Sequence, residues 1–357
     1  MAADDFLKGR GAQGHVPNKF LKHHQEARED FLEYCRLEGE VAEANRTRYI
    51  PIFPKTIVNP VKSRDLRMAF SMNPYQGCEH GCIYCYARNS HEYWGYGAGL
   101  DFERIILVKK SAPELLEAKL KSSRWKANTI VLSGNTDCYQ PAEQKFGITR
   151  KCLEVFLRYR HPVGIITKNS LILRDMDLLK ELHAHGLLGV NLSVTSLSEK
   201  TRRILEPRTA SIQKRLDTIG QLSAQGIPVN AMLAPIIPGI NGHELLPLAK
   251  AVADHGALSF GMSVVRLNGA IGQLFTDWIR KALPDRAEKV LHQIQELHGG
   301  GLNDSRIGLR HKGEGQWALQ LQHTAQLARK RYFKDRAFPE LNTQLHASHK
   351  DGQPRLF

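Results

Sequence analysis

Half of the chain's six cysteines, Cys78, Cys82 and Cys85, crowd into NPYQGCEHGCIYCYAR (73–88). Thiolates this close together are soft ligands, suited to zinc, copper(I) or iron–sulfur clusters. A structural zinc needs a closed set of four. Here the fourth would be His80, His91 or the distant Cys138. A [4Fe–4S] cluster normally takes four cysteines. With three, one iron keeps an open position, and an open position is where a second ligand and chemistry enter. Six cysteines in 357 residues do not make a disulfide scaffold, which points to a reducing compartment.

The elements that carry this loop read as β then α, repeated. Short apolar, β-branched runs occur at 67–72, 129–134, 163–168, 189–194, 227–235 and 257–265. Amphipathic runs lie between them at 112–122, 148–160, 170–186, 211–226 and 243–256, several ending in Gly, as helices do. This alternation implies parallel pairing with right-handed crossovers. Six such strands suit an open doubly wound sheet or a barrel short of eight strands, and both place chemistry at the C-terminal strand ends. The cysteine loop follows the first strand directly. Residues 1–65 read as an N-terminal extension, loose before residue 20 and with a helix over 26–45 that carries Cys35. Residues 66–270 form the α/β unit, and 271–357 a basic helical C-terminal region with a flexible tail.

C-x3-C-x-aromatic-C, with Tyr84 before Cys85, resembles the radical S-adenosylmethionine (SAM) superfamily. More of the chain, roughly 70–265, is similar to its spore photoproduct lyase-related branch. The stretches that carry this are GLDFERIILVKKSAPELL (99–116), GNTDCYQPAE (134–143), ITKN (166–169), LEPRTAS (205–211) and LAPIIPGIN (233–241), with the opening KGRGA (8–12). The resemblance implies a partial (β/α)6 barrel. Cys78, Cys82 and Cys85 would hold three irons of a [4Fe–4S] cluster, and the fourth iron would bind SAM. A reductant such as flavodoxin or ferredoxin would drive SAM cleavage to a 5′-deoxyadenosyl radical that abstracts hydrogen from a substrate.

It further implies that Tyr84 flanks the adenine, that Thr136 and Asp137 at the second strand tip hold the SAM amino group and ribose, and that Lys168 and Ser193 contact carboxylate or ribose oxygens. Ala234 and Pro235 would line the adenine pocket. Arg208 either reaches an anion or forms an ordinary surface pair with Glu206. Read from the residues alone, these are an Asx turn, a surface lysine, a tolerated strand serine and a strand end. Cys138, next to Asp137, is a candidate hydrogen-atom donor at the site edge, although related sequences more usually carry proline there. Cys152 reads as helix core.

Net charge is +14 and pI about 9.5. Such a field attracts polyanions. RKRYFKDR (329–336) sets Tyr332 and Phe333 among basic residues, a pattern that can stack on bases and neutralise phosphates or can simply be a solvated helix face. QPRLF (353–357) resembles the short peptides that dock on bacterial sliding clamps. The N-terminus lacks a signal-peptide h-region and no apolar run is long enough to span a bilayer. The expectation is a soluble, cytoplasmic enzyme with no membrane contact. The relation to the photoproduct lyases and the net charge point to a nucleic-acid substrate, in photoproduct lyase-like DNA repair or base modification. The competing reading is a nucleic-acid-binding protein whose zinc or iron–sulfur centre is only structural.

Overall fold

The computed structural model describes residues 6–20, 46–66 and 68–349. The helix expected over 26–45, Cys35 and the clamp-like tail at 353–357 lie outside the described residues.

All six expected strands form: β1 (Phe70–Met72), β2 (Ile130–Leu132), β3 (Val163–Thr167), β4 (Leu188–Ser193), β5 (Val229–Ile236) and β6 (Ser259–Val264). Each pairs in parallel with the next. A short strand, Asn59–Pro60, adds antiparallel to β1 at one edge, and the sheet stays open rather than closing on itself. This is the partial barrel that the resemblance implies, and one of the two architectures that the alternation allows.

The crossovers are α1 (Ala112–Lys121), α2 (Ile148–Arg158), α3 (Met176–Ala184), α4 (Ile212–Ala224) and α5 (Leu245–Asp254). Local signals set their ends. Ser211 accepts from Lys214 N at the α4 start, satisfying a donor that has no intrahelical partner. Their apolar faces bury Leu153, Leu179, Ile219 and Val252 against the strands in one continuous core. Cys152 is in that core, as its helical position predicts.

The expected boundaries blur at both ends. Arg48–Pro51 pairs with Ile105–Val108, which also takes Tyr75–Gln76, in a second small sheet beside the cysteine loop. Residues 10–13, expected to be loose, are buried. After the barrel come α6 (Ala270–Ala282), α7 (Ala287–Leu297) and α8 (Gly315–Tyr332). Phe333, at the α8 C-terminus, packs on Phe260 of β6 with ring centroids 5.3 Å apart. Arg336 donates to the carbonyls of Ala253 and Ala257 at 2.8 and 2.7 Å, and Asn342 N donates to Gly186 O at 2.9 Å. Those carbonyls just precede β6 and β4. The basic stretch 329–336 therefore sits at the N-terminal edge of the sheet, opposite the cysteine loop. Phe333 is 7% exposed, so the aromatic stacking on bases expected of this stretch is unavailable to it.

Candidate active site

The cysteine loop leaves the C-terminal end of β1 and is held on both sides. Cys78 N donates to Phe102 O at 2.8 Å, Ile83 N to Leu205 O at 3.1 Å, and Arg208 N to His80 O at 3.2 Å. Beneath it Arg88, fully buried, donates to Cys82 O at 3.0 Å and to the Glu103 carboxylate at 2.6 Å. The same carboxylate accepts from Gly11 N at 3.1 Å and Ala12 N at 2.8 Å. The KGRGA segment is thus a strap across the loop. Its fit explains two glycines: a Cβ on Gly11 would lie 1.7 Å from Gly81 O, and Gly81 itself adopts φ +67°, where L side chains are strained.

Cys78 and Cys82 are buried, Cys85 is half-buried, and all three are free thiols. Burial pushes each thiol up, reinforced at Cys78 by the Asp137 charge and opposed at Cys82 by Lys168. Uncompensated thiolates are costly here, so the site suits a strongly bound cationic centre. Among the described residues no three His, Cys, Asp or Glu side chains gather closely enough to hold a single ion. None of the three expected fourth zinc ligands joins the cysteines, and Cys138 lies in the apolar core. His80 faces Asp137 at 3.3 Å and Asn169 at 3.3 Å; His91 stacks on Tyr96 against Phe102 with neither ring nitrogen hydrogen-bonded, yet among the described residues it forms no closed ligand group with the cysteines. Three separate soft donors on one loop fit the corners of an iron–sulfur cluster better than one zinc.

Behind the loop the expected residues separate by role. The Asp137 carboxylate accepts from Thr167 Oγ1, Lys168 N and Tyr139 N, each at 2.8 Å, besides facing His80. Burial alone would raise its pKa, but His80 and these hydrogen bonds outweigh that and lower it. Its acceptor sites are filled by the chain, so it brackets the β2, β3 and cysteine loops together. Thr136 is buried and donates to Tyr75 O. Cys138 departs from its expected place at the site edge. It has no exposed surface and packs in the apolar core, and burial raises its thiol strongly. A hydrogen atom donated from there has no open path to a substrate.

Glu206 bears on the two readings left open for Arg208. It does not pair with Arg208, whose guanidinium lies 3.4 Å from Glu79 instead. Glu206 is fully buried and pairs with Arg215 at 2.5 Å. It also accepts from the Tyr84 hydroxyl and from Thr195 at 2.9 Å, with Lys168 Nζ at 3.8 Å. Burial would raise this carboxyl, but Arg215, Lys168 and the hydrogen bonds hold it at about 2. Arg215 also donates to Ser193 O at 3.1 Å. Glu206 and Arg215 thereby gather Tyr84, Lys168 and Ser193, three of the expected SAM contacts, around one ion pair. The available signal was Arg215 on α4, nine residues on, whose inward face the helical period indicates. Ala234 and Pro235 are half-buried on β5, as surface facing an open site should be.

Residues 72–252 match the Radical SAM superfamily. The chain therefore belongs to that superfamily. An uncharacterized protein of Mycobacterium tuberculosis is 30% identical over 250 residues, covering 69% of this chain and 72% of that one. A radical SAM Nalpha-GlyT isomerase of Pseudomonas phage M6 is 29% identical over 178 residues, covering 49% of this chain and 35% of its own. Among solved structures, spore photoproduct lyase complexed with dinucleoside spore photoproduct aligns with TM-score 0.58 at 15% identity, covering 80% of this chain and 79% of that one. That likeness establishes the shared fold. Radical SAM membership implies a [4Fe–4S] cluster, SAM and an electron donor. Among the described residues no helix is long and apolar enough to cross a membrane.

Proposed function

We propose that this protein is a radical SAM enzyme that acts on nucleic acid, modifying or repairing a base. The observation that carries the enzymatic part is the set of three free, buried or half-buried thiols on a loop pinned at the C-terminal end of β1, with Lys168 and the Glu206–Arg215 pair behind it. Cys78, Cys82 and Cys85 would hold the cluster and leave one corner for SAM. Bound together, these cofactors supply one-electron reductive cleavage of SAM to methionine and a 5′-deoxyadenosyl radical that takes hydrogen from a substrate C–H bond.

The chain's own residues position and protect. Lys168 offers a cation for the SAM carboxylate. Glu206 fixes the Lys168 ammonium and the Tyr84 hydroxyl. Ala234 and Pro235 give the adenine an apolar wall, and the strap at 10–12 shields the loop from water. Arg208, at the loop margin and one-third exposed, is placed to meet an anion. The nucleic-acid part rests on the net charge of +14, the photoproduct lyase-like fold and the phage isomerase similarity.

Anaerobic reconstitution tests this reading. It expects about four irons per chain, 5′-deoxyadenosine on adding dithionite and SAM, and faster turnover with DNA or RNA than with small-molecule pools. A colourless zinc protein that leaves SAM intact would refute it.

A further inference from the structure

The two side-chain rows of the strands have different surroundings. On β5, Val229, Ala231 and Leu233 are buried beneath the helices, while Asn230, Met232 and Ala234 are half-buried. On β4, Val190 and Leu192 are buried and Asn191 is half-buried. On β6, at the sheet edge, Phe260 is buried against α8, and Ser259, Gly261, Met262 and Ser263 are half-buried. The inward row therefore stays partly accessible at Asn191, Asn230, Met232, Ser259 and Gly261 and faces a lumen, while Gly189 and Ser193 of the same row are buried below and above. In a closed barrel that interior is packed with branched apolar residues.

The lumen has a floor and a polar tier. Gly189 is covered by the Phe338 ring, which would lie 3.0 Å from a Cβ there. One layer up, the strand register sets Asn191 beside Asn230 and Asn230 beside Ser259. Asn230 Nδ2 donates to Asn191 Oδ1 at 2.8 Å, and Ser259 donates to Asn230 Oδ1 at 2.7 Å. This tier lies two residues, or about 7 Å, below Ser193 along β4. Its β3 neighbour is Ile166, so the tier carries no formal charge. The Asn191 Nδ2 donors and the Ser259 oxygen lone pairs remain for a ligand.

An uncharged row of amides and a hydroxyl suits a neutral group with donors and acceptors in one plane, and it disfavours an unpaired phosphate or carboxylate. A nucleobase has that chemistry, and enzymes that act on bases take them out of the stack into such pockets. We infer that the Asn191–Asn230–Ser259 row is the recognition floor of the substrate pocket. It reads the hydrogen-bonding edge of a base turned into the lumen, while the backbone phosphates stay at the rim. This rests on the nucleic-acid reading above and adds where and how the base is recognised.

The test uses the full-length, anaerobically reconstituted protein with SAM bound. The probes are mixed-sequence single-stranded 12-mers of DNA and of RNA, and the same DNA backbone carrying abasic sites. The wild type is expected to favour the base-bearing strands over the abasic one. Asn191→Leu and Asn230→Leu each should cut that preference about tenfold, the effect of one lost hydrogen bond to a group left unpaired. SAM affinity and iron content should not change. Ser259→Ala, which removes one hydroxyl, should give a smaller loss in the same direction and carries the test if a leucine variant melts below the assay temperature. Unchanged preference in all three variants would overturn the inference and leave the nucleic-acid reading standing. A wild type that binds no strand, or binds abasic and base-bearing strands alike, while still cleaving SAM would overturn both.

Discussion

The two ends of this barrel use the same residue types for opposite purposes. At the C-terminal end, Arg88 and Arg215 are buried against Glu103 and Glu206, and each pair anchors the cysteine loop or the residues behind it. At the N-terminal end, Arg336 meets no carboxylate among its hydrogen-bond partners and binds two backbone carbonyls. There His161, between Trp125 and the His346 ring, has no exposed surface. One end concentrates charge to hold a loop that must in turn hold a charged cofactor. The other keeps carboxylates away from Arg336 and holds its buried histidine neutral, leaving Lys330, Arg331 and Lys334 on the surface. Basic composition alone therefore says nothing about which end does chemistry.

The largest effect that would break this contrast is at the thiols. Cys78→Ala, Cys82→Ala or Cys85→Ala should each abolish 5′-deoxyadenosine formation and cut bound iron sharply, read by iron assay and product analysis. Retention of both would remove the cysteine loop from the chemistry.

Next is Glu206. Replacing it by Ala leaves Arg215 buried without its partner, at a cost of about 3 kcal/mol, seen as a lower denaturant midpoint. Glu206→Gln keeps the shape and should cost less, while weakening SAM binding through a less constrained Lys168. Equal stability for all three proteins would show that the pair is not the anchor.

Acid tests the buried histidines and the Glu206 anchor in separate pH windows. His161 is pushed down to about 3, first by burial and then by His346, below the ordinary value of 6.5. Its neutral form is the folded one, so its contribution is full above about 6.5 and fades as pH falls toward 3. Glu206 is also depressed, from 4.5 to about 2. Its contribution is full above about 4.5 and is lost only as pH falls toward 2. His91, beside the cysteine loop, is likewise pushed down to about 4 by burial, so melting temperature should fall through the histidines of both ends before Glu206 contributes. His161→Gln should make the curve shallower between pH 6.5 and 4.5, with the rest of that slope from His91, and Glu206→Gln should do so below 4.5. A wild-type curve that stays flat from 6.5 to 4.5 would contradict the buried neutral imidazole.

The smallest effect expected is at the basic C-terminal stretch. Arg336→Ala should cost about 1–2 kcal/mol through two lost carbonyl contacts. Exchanging Lys330 and Lys334 for Gln should leave SAM cleavage unchanged. A loss of cleavage in the Lys330/Lys334 variant would show that the far end reaches the site.

Much of this was legible in the primary structure because it is local. A strand needs a handful of β-branched residues, a crossover helix needs a 3.6-residue stripe, and a cluster loop needs three thiols within one turn of chain. Cys78, Cys82 and Cys85, the six strands and the five crossovers meet those conditions over short windows, so the α/β class could be read directly, and the partial barrel and cofactor class through the family resemblance these motifs carry. The tertiary structure alone decided which charges meet. Glu206 is two residues from Arg208 yet pairs with Arg215, because α4 turns Arg215 inward while Arg208 lies along the cysteine loop. Cys138 sits beside Asp137, but its side chain points into the core while the carboxylate points to the loops. The KGRGA strap, the burial of Phe333 and the open polar lumen likewise depend on segments that meet only after the strands have registered. The energy of a buried charge is set by what surrounds it in space, and adjacency along the chain carries little of that information.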